Sequence, residues 1–168
     1  MTALAIDNLT FTFPNGWSQG KPDDWAFYRN QFVRMRNGIK SVDVLTVDVG
    51  GVAWMIEVKD YRLNARTKPS CLADEVASKV FDTLAMLLPA RTHANDADEA
   101  ALACKACYAT GLRIVLHLEQ PAKHSRLRPR AIDPSALQMK LRKLLKPIDP
   151  HPLVVERNRM CGLAWGVV

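Results

Sequence analysis

The fold class this sequence predicts is α/β, a mixed central β-sheet flanked by α-helices. Three observations predict it. Residues 41–61 read as two runs rich in Val, Ile, Leu and Thr, broken by Gly50-Gly51, which is the pattern of a β-hairpin. Residues 112–119 read as a further strand suited to a sheet interior. Around them lie stretches whose apolar residues recur every three or four positions, as on the inner face of a helix. The 168 residues suit a single domain spanning 1–168 with a real core, and 48% apolar with 24% charged residues is an ordinary globular balance.

Each element has a local reason. Asn8 to Phe13 alternates like a strand. Pro22 opens a helix with Asp23 and Asp24 in its first turn and Trp25, Tyr28, Phe32 and Met35 as its core stripe, until Asn37-Gly38 stops it. After the hairpin, 62–69 is a polar loop. Ser70 is placed to cap a helix whose Leu72, Val76, Val80, Leu84 and Leu87 face inward, while Glu75 and Lys79 share the outer side as an i,i+4 ion pair. Asp96 with Glu99 makes a capping-box-like start to the next helix, which ends near Gly111. In the strand that follows, Leu112, Ile114, Leu116 and Leu118 share one face; His117, on the other, reads as a packed or hydrogen-bonded histidine. Asp133-Pro134 begins the last helix, with Leu137, Leu141, Leu144 and Leu145 inward, before short strands at 153–157 and 163–168.

The hairpin carries the chemistry. Side chains alternate along a strand, so Met55, Glu57 and Lys59 point one way while Trp54, Ile56 and Val58 point the other. With a three-residue loop, Val49-Gly50-Gly51, Asp43 lies opposite Glu57 on that same face. With a two-residue loop Asp48 takes the face instead, but four residues away from Glu57, roughly 13 Å at strand rise. That is too far for one metal ion, so a shared site requires the odd loop and Asp43.

VDVLTV, a glycine turn and IEVKDYR resemble the core hairpin of the PD-(D/E)XK nuclease superfamily, over about twenty of the 168 residues. The resemblance implies a restriction-endonuclease-like fold and a divalent-metal-dependent endonuclease. Asp43 and Glu57 would bind Mg2+ or Mn2+, the Val58 carbonyl would add a ligand, and Lys59 would act on the attacking water. It also allows Lys79 a polar contact with the site. No glutamate precedes Glu57, so the further acid that many members carry on the first helix is left to Asp23 or Asp24, or to the amides Asn30 and Gln31. A nuclease-like nucleic-acid-binding protein without cleavage, and an interaction module with a solvated Glu57 and Lys59, therefore stay open.

Charge points to a polyanion. Of the net +6, the excess is C-terminal: residues 120–168 hold ten basic and three acidic side chains. Lys123, Arg126, Arg128 and Arg130 lie in a Pro-bounded loop and Lys143 on the helix after it, a surface suited to phosphates. Nucleic acid, with DNA favoured, is the expected partner, and a homodimer stays open. The opening residues lack a charged signal-peptide start and no run approaches a membrane span, which predicts a cytoplasmic protein with no membrane partner. Cys104-x-x-Cys107 has no second pair to complete a zinc site, so the four cysteines read as packed, reduced thiols. There is no phosphate-binding glycine loop, nucleophile elbow or paired-histidine zinc helix.

Overall fold

A computed structural model describes residues 1–168. The sheet is mixed and five-stranded. Its order is β3 (Ser18–Gly20), β4 (Val44–Val47), β5 (Val52–Asp60), β6 (Gly111–Glu119) and β7 (Leu153–Val155). The first three strands run antiparallel and the last three parallel. Parallel neighbours need a crossover, and α2 (Leu72–His93) with α3 (Ala97–Cys107) provides the one from β5 to β6, while α4 (Pro134–Leu145) provides the one to β7.

The two faces of the sheet bury different partners. Leu45, Val47, Ala53, Met55, Ile114 and Leu116 pack against the helices, through Val76, Val80, Leu87, Leu102 and Leu141 among others. Val44, Ile56, Val58 and Val115 pack on the opposite side against a smaller sheet. That sheet is β1 (Thr2–Ile6), β2 (Leu9–Phe13) and β8 (Gly166–Val167), which contributes Phe11, Phe13 and Val167. The mixed, helix-flanked α/β class expected from sequence is what forms. No helix is long and apolar enough to cross a membrane.

The hairpin register follows the odd loop. Val44 pairs with Ile56 and Val47 with Ala53, which leaves Val49-Gly50-Gly51 as the loop and Asp43 opposite Glu57. Gly51 takes φ +78, the left-handed conformation that closes such a loop. Asp48 ties the turn, its carboxylate accepting from the Gly50 amide at 2.8 Å, the Val52 amide at 3.0 Å and the Trp54 indole at 2.9 Å. It is a turn residue, not a site residue.

Several expected elements differ. The helix expected from Pro22 breaks into a 3-10 turn at Pro22–Asp24, α1 at Ala26–Asn30 and a second 3-10 turn at Phe32–Met35, leaving Met35 exposed. The third antiparallel strand of the main sheet is β3, whereas Asn8 to Phe13 supplies β2 of the small sheet. Glu99 does not reach back to its own helix start. Asp96 alone accepts there, from the Asp98 and Glu99 amides, while Glu99 accepts the Ala26 amide at 2.6 Å and the Phe27 amide at 3.1 Å, capping α1 from across the fold. Cys71 stands at the α2 N-cap position in place of Ser70, and Leu144 is partly exposed. All four cysteines are free, with Cys107 and Cys161 on the surface.

Gly51→Ala should cost about 1 kcal/mol in urea unfolding, because a Cβ at positive φ is strained even where space is open. Gly51→Asn, which tolerates that conformation better, should recover part of the loss.

Candidate functional site

Four side chains meet on the helix-facing side of the hairpin. Glu57 lies on the central strand β5 and is 1% exposed. Lys59, two residues along the same face, donates to Glu57 Oε1 and to the Val58 carbonyl at 3.2 Å. Asp43, opposite Glu57, accepts the Val58 amide at 2.7 Å through Oδ2, which anchors it to the neighbouring strand. Lys79 descends from α2 and bridges both carboxylates, its Nζ 2.7 Å from Glu57 Oε1 and 3.2 Å from Asp43 Oδ1.

Helix α2 fixes this geometry with three polar side chains. Thr83 Oγ1 accepts the Val42 amide at 2.9 Å and Asp82 accepts the Lys40 amide at 3.0 Å, so the segment entering β4 is pinned just before Asp43. Asp82 also takes the Arg36 guanidinium at 2.6 Å. Lys79 completes the set one turn earlier. The expected Glu75–Lys79 pair does not form. Glu75 turns instead to Arg66, at 2.6 Å, and to the Ser70 hydroxyl. Lys79 goes to the carboxylates, where it spares the buried Glu57 the cost of an uncompensated charge.

Burial pushes the Glu57 carboxyl up to about 7, and the Asp43 charge adds to the rise, while Lys59 and Lys79 oppose it. Burial works against the Lys79 charge, but Glu57 and Asp43 outweigh it and hold its pKa above the usual lysine range. Arg66 and Ser70 draw Glu75 down to about 2.

The cluster opens into a cavity of about 370 Å³. Its walls are Gly38, Lys40, Glu57, Lys59, Lys68, Glu75, Ser78 and Lys79, with no apolar residue among them. Lys40 and Lys68 are exposed and in no ion pair.

The atoms that the nuclease resemblance implies as metal ligands are engaged. Asp43 Oδ1 holds Lys79 and Oδ2 holds a backbone amide; Glu57 Oε1 holds two ammonium groups, and the Val58 carbonyl accepts from Lys59. Only Glu57 Oε2 is buried without a partner. No group of three or more His, Cys, Asp and Glu side chains is placed to hold a metal ion. A divalent cation bridging the two carboxylates does not fit beside Lys79, which it would have to displace.

The structure thus brings together Asp43, Glu57, Val58 and Lys59 as the register requires, gives Lys79 the polar contact that the resemblance allowed, and adds Lys40 and Lys68. The spacing of Val76, Val80 and Thr83 around Lys79 was the signal that it borders the buried side of α2. The C-terminal basic residues form a separate group. Lys123, Arg126 and Arg128 are exposed on the loop before α4, and Lys143 is exposed on α4. Arg130 is drawn inward, to the Pro121 carbonyl at 3.0 Å and Glu156 at 3.1 Å. His117 is fully buried with Nε2 2.9 Å from Glu119 Oε1, a packed histidine.

No family model matches the chain, and no solved structure does. The chain is similar to the cysteine-tRNA ligase of Neisseria meningitidis serogroup A / serotype 4A (strain DSM 15465 / Z2491), 31% identical over 163 residues. The match takes in 79% of this chain and 23% of the ligase. The chain spans about a quarter of the length of the relative it matches.

That similarity overturns the expected function. A metal-dependent nuclease hydrolysing phosphodiester bonds, with its endonuclease and hydrolase assignment, is not what a tRNA ligase relative supports. The physical reason the pattern misleads is that an aspartate across from Glu-x-Lys also suits a buried ion-pair network, and such a network is what these residues form. The coarser statement stands: this chain is similar to part of an enzyme.

Two outcomes test the electrostatics. Glu57 has a folded pKa of about 7 against 4.5 unperturbed, so the folded state binds its proton more tightly than the unfolded chain. This contribution to stability is full below about 4.5 and is lost as pH rises through 7. Glu57→Gln removes it, so wild-type melting temperature should fall relative to that variant between about pH 5 and about pH 8. Lys79→Met should cost about 3 kcal/mol near the upper end of that range, by leaving buried carboxylates short of a partner. It should cost less near the lower end, where Glu57 takes up a proton.

Proposed function

We propose that this chain is an RNA-binding domain acting in the context of tRNA aminoacylation, and that it holds the phosphate backbone of tRNA. The observation that carries the proposal is the all-polar, lysine-walled cavity on a chain similar to part of a tRNA ligase. Small-molecule pockets are mostly apolar. A cavity without one apolar wall gives neither an adenine ring nor an amino-acid side chain a surface to rest on, which favours a phosphate occupant over an adenylate. Lys40 and Lys68 are the free ammonium groups at its mouth.

The exposed Lys123, Arg126, Arg128 and Lys143 supply a second group of positive charges, in keeping with the net charge of +6. Arg130, engaged by Glu156, contributes less. Side chains of this kind reach the nucleic-acid backbone, so they confer affinity without reading sequence. RNA, and not DNA, is the partner that the ligase similarity supports.

Fluorescence anisotropy with labelled tRNA and with a DNA duplex of similar length, across a salt series, tests this. Affinity for tRNA should exceed that for DNA and fall steeply with salt. The Arg126→Ala, Arg128→Ala double variant should bind more weakly, and its slope of log affinity against log salt should be shallower by about one for each arginine removed. Absence of tRNA binding at low salt, or equal binding to the DNA duplex, would sink the proposal.

A further inference from the structure

We propose that the Lys79 ammonium is the resident cation of the Asp43 and Glu57 carboxylates, so that the adjoining cavity takes a phosphate group of RNA with no divalent metal between them. The ligand half of this inference rests on the RNA-binding reading; the cation half does not.

Geometry comes first. Lys79 Nζ lies within 3.2 Å of one oxygen from each carboxylate, between the two strands that present them. An ion bridging the pair has to displace it. Lys59 closes a second side, donating to Glu57 and to the Val58 carbonyl, so an incoming dication meets two ammonium groups before it meets a free oxygen. Of the pair's oxygens Glu57 Oε2 alone is buried without a partner, and a second such carboxylate oxygen, Asp23 Oδ1, belongs to a group within reach of the Asp43 charge. A magnesium ion keeps most of its waters, but to bridge Asp43 and Glu57 it still has to take the place of Lys79.

Charge decides the occupant. Arg66 takes up Glu75, so the four lysines around the cavity face only Glu57 and Asp43. With Glu57 ionised, the excess is two positive charges. A dianionic phosphate, or two neighbouring phosphodiesters, brings this to neutrality, whereas a divalent cation doubles it. The hydrogen-bond inventory agrees. Each ammonium has three protons, and Lys79 uses two on Glu57 and Asp43. Lys40 and Lys68, in no ion pair, keep all of theirs. The carboxylates then act as positioning groups. They hold Lys79 and Lys59 in place and charged at the cavity floor, while Lys40 and Lys68 close over the ligand.

Thermal melting of the full chain in EDTA, and with added Mg2+ or Mn2+ at matched ionic strength, reads the cation directly. Wild-type melting temperature should not rise with either metal. Lys79→Met should melt lower in EDTA and regain part of the loss in Mn2+, because the vacated carboxylates are then free to coordinate. Lys79→Arg, which keeps the charge, should show no metal response and serves if the methionine variant fails to fold. A metal-dependent rise in the wild type overturns the inference.

The anion arm uses inorganic phosphate and labelled tRNA. Phosphate should raise the wild-type melting temperature in EDTA relative to chloride, and less so in the Lys40→Ala, Lys68→Ala variant. Affinity for tRNA should agree within about twofold with and without magnesium once ionic strength is matched. If tRNA binds only with metal, the inference fails and the RNA-binding reading stands. If phosphate binds in EDTA but tRNA does not, the RNA reading fails and the metal-free site stands.

Discussion

A carboxylate at the centre of a sheet, 1% exposed, cannot remain there as an isolated charge, and the arrangement of this protein turns on how Glu57 is compensated. Its neighbours come from three directions: Lys59 from its own strand, Lys79 from α2, and Asp43, a like charge, from the strand alongside. The two acids are tolerable neighbours because Lys79 lies between them. Lys79 can lie there because α2 is packed on the same sheet face through Val76, Val80 and Leu87. The apolar core and the ionic cluster are one construction.

The same helix controls the entry to the site. Asp82 and Thr83 accept backbone amides from the segment leading into β4, which sets where Asp43 begins its strand. The Asp48 turn sets where that strand ends. Pinned at both ends, β4 has no freedom to slip by a residue, and such a slip would carry Asp43 to the opposite face. A precise hairpin register is therefore a condition for the cluster.

The functional correction shows how far a local pattern reaches. Asp43, Glu57 and Lys59 were legible because hairpin alternation and an odd loop determine which side chains share a face. What they do there was not. A carboxylate pair with a lysine suits either a metal or an internal counter-ion, and the choice depends on whether another cation arrives from elsewhere in the chain. Here one does, thirty-six residues after Asp43. The similarity to part of a tRNA ligase removes hydrolysis of nucleic acid from the reading.

By itself the sequence determined what depends on near neighbours: the α/β class, the hairpin turning at Gly50-Gly51 with Glu57 and Lys59 on one face, the long helix that follows it, and the packed His117. These follow from side-chain alternation, helical periodicity and the conformational freedom of Gly51, all properties of a few consecutive residues. Tertiary structure decided the pairings between distant segments. It broke the expected helix after Pro22 into short turns, sent Glu99 to cap α1, divided Glu75 and Lys79 between separate partners, and placed β2 in a second sheet. Each of these is a long side chain or an edge strand with more than one partner of similar local quality. Only packing of the whole chain brings the winning partner within reach.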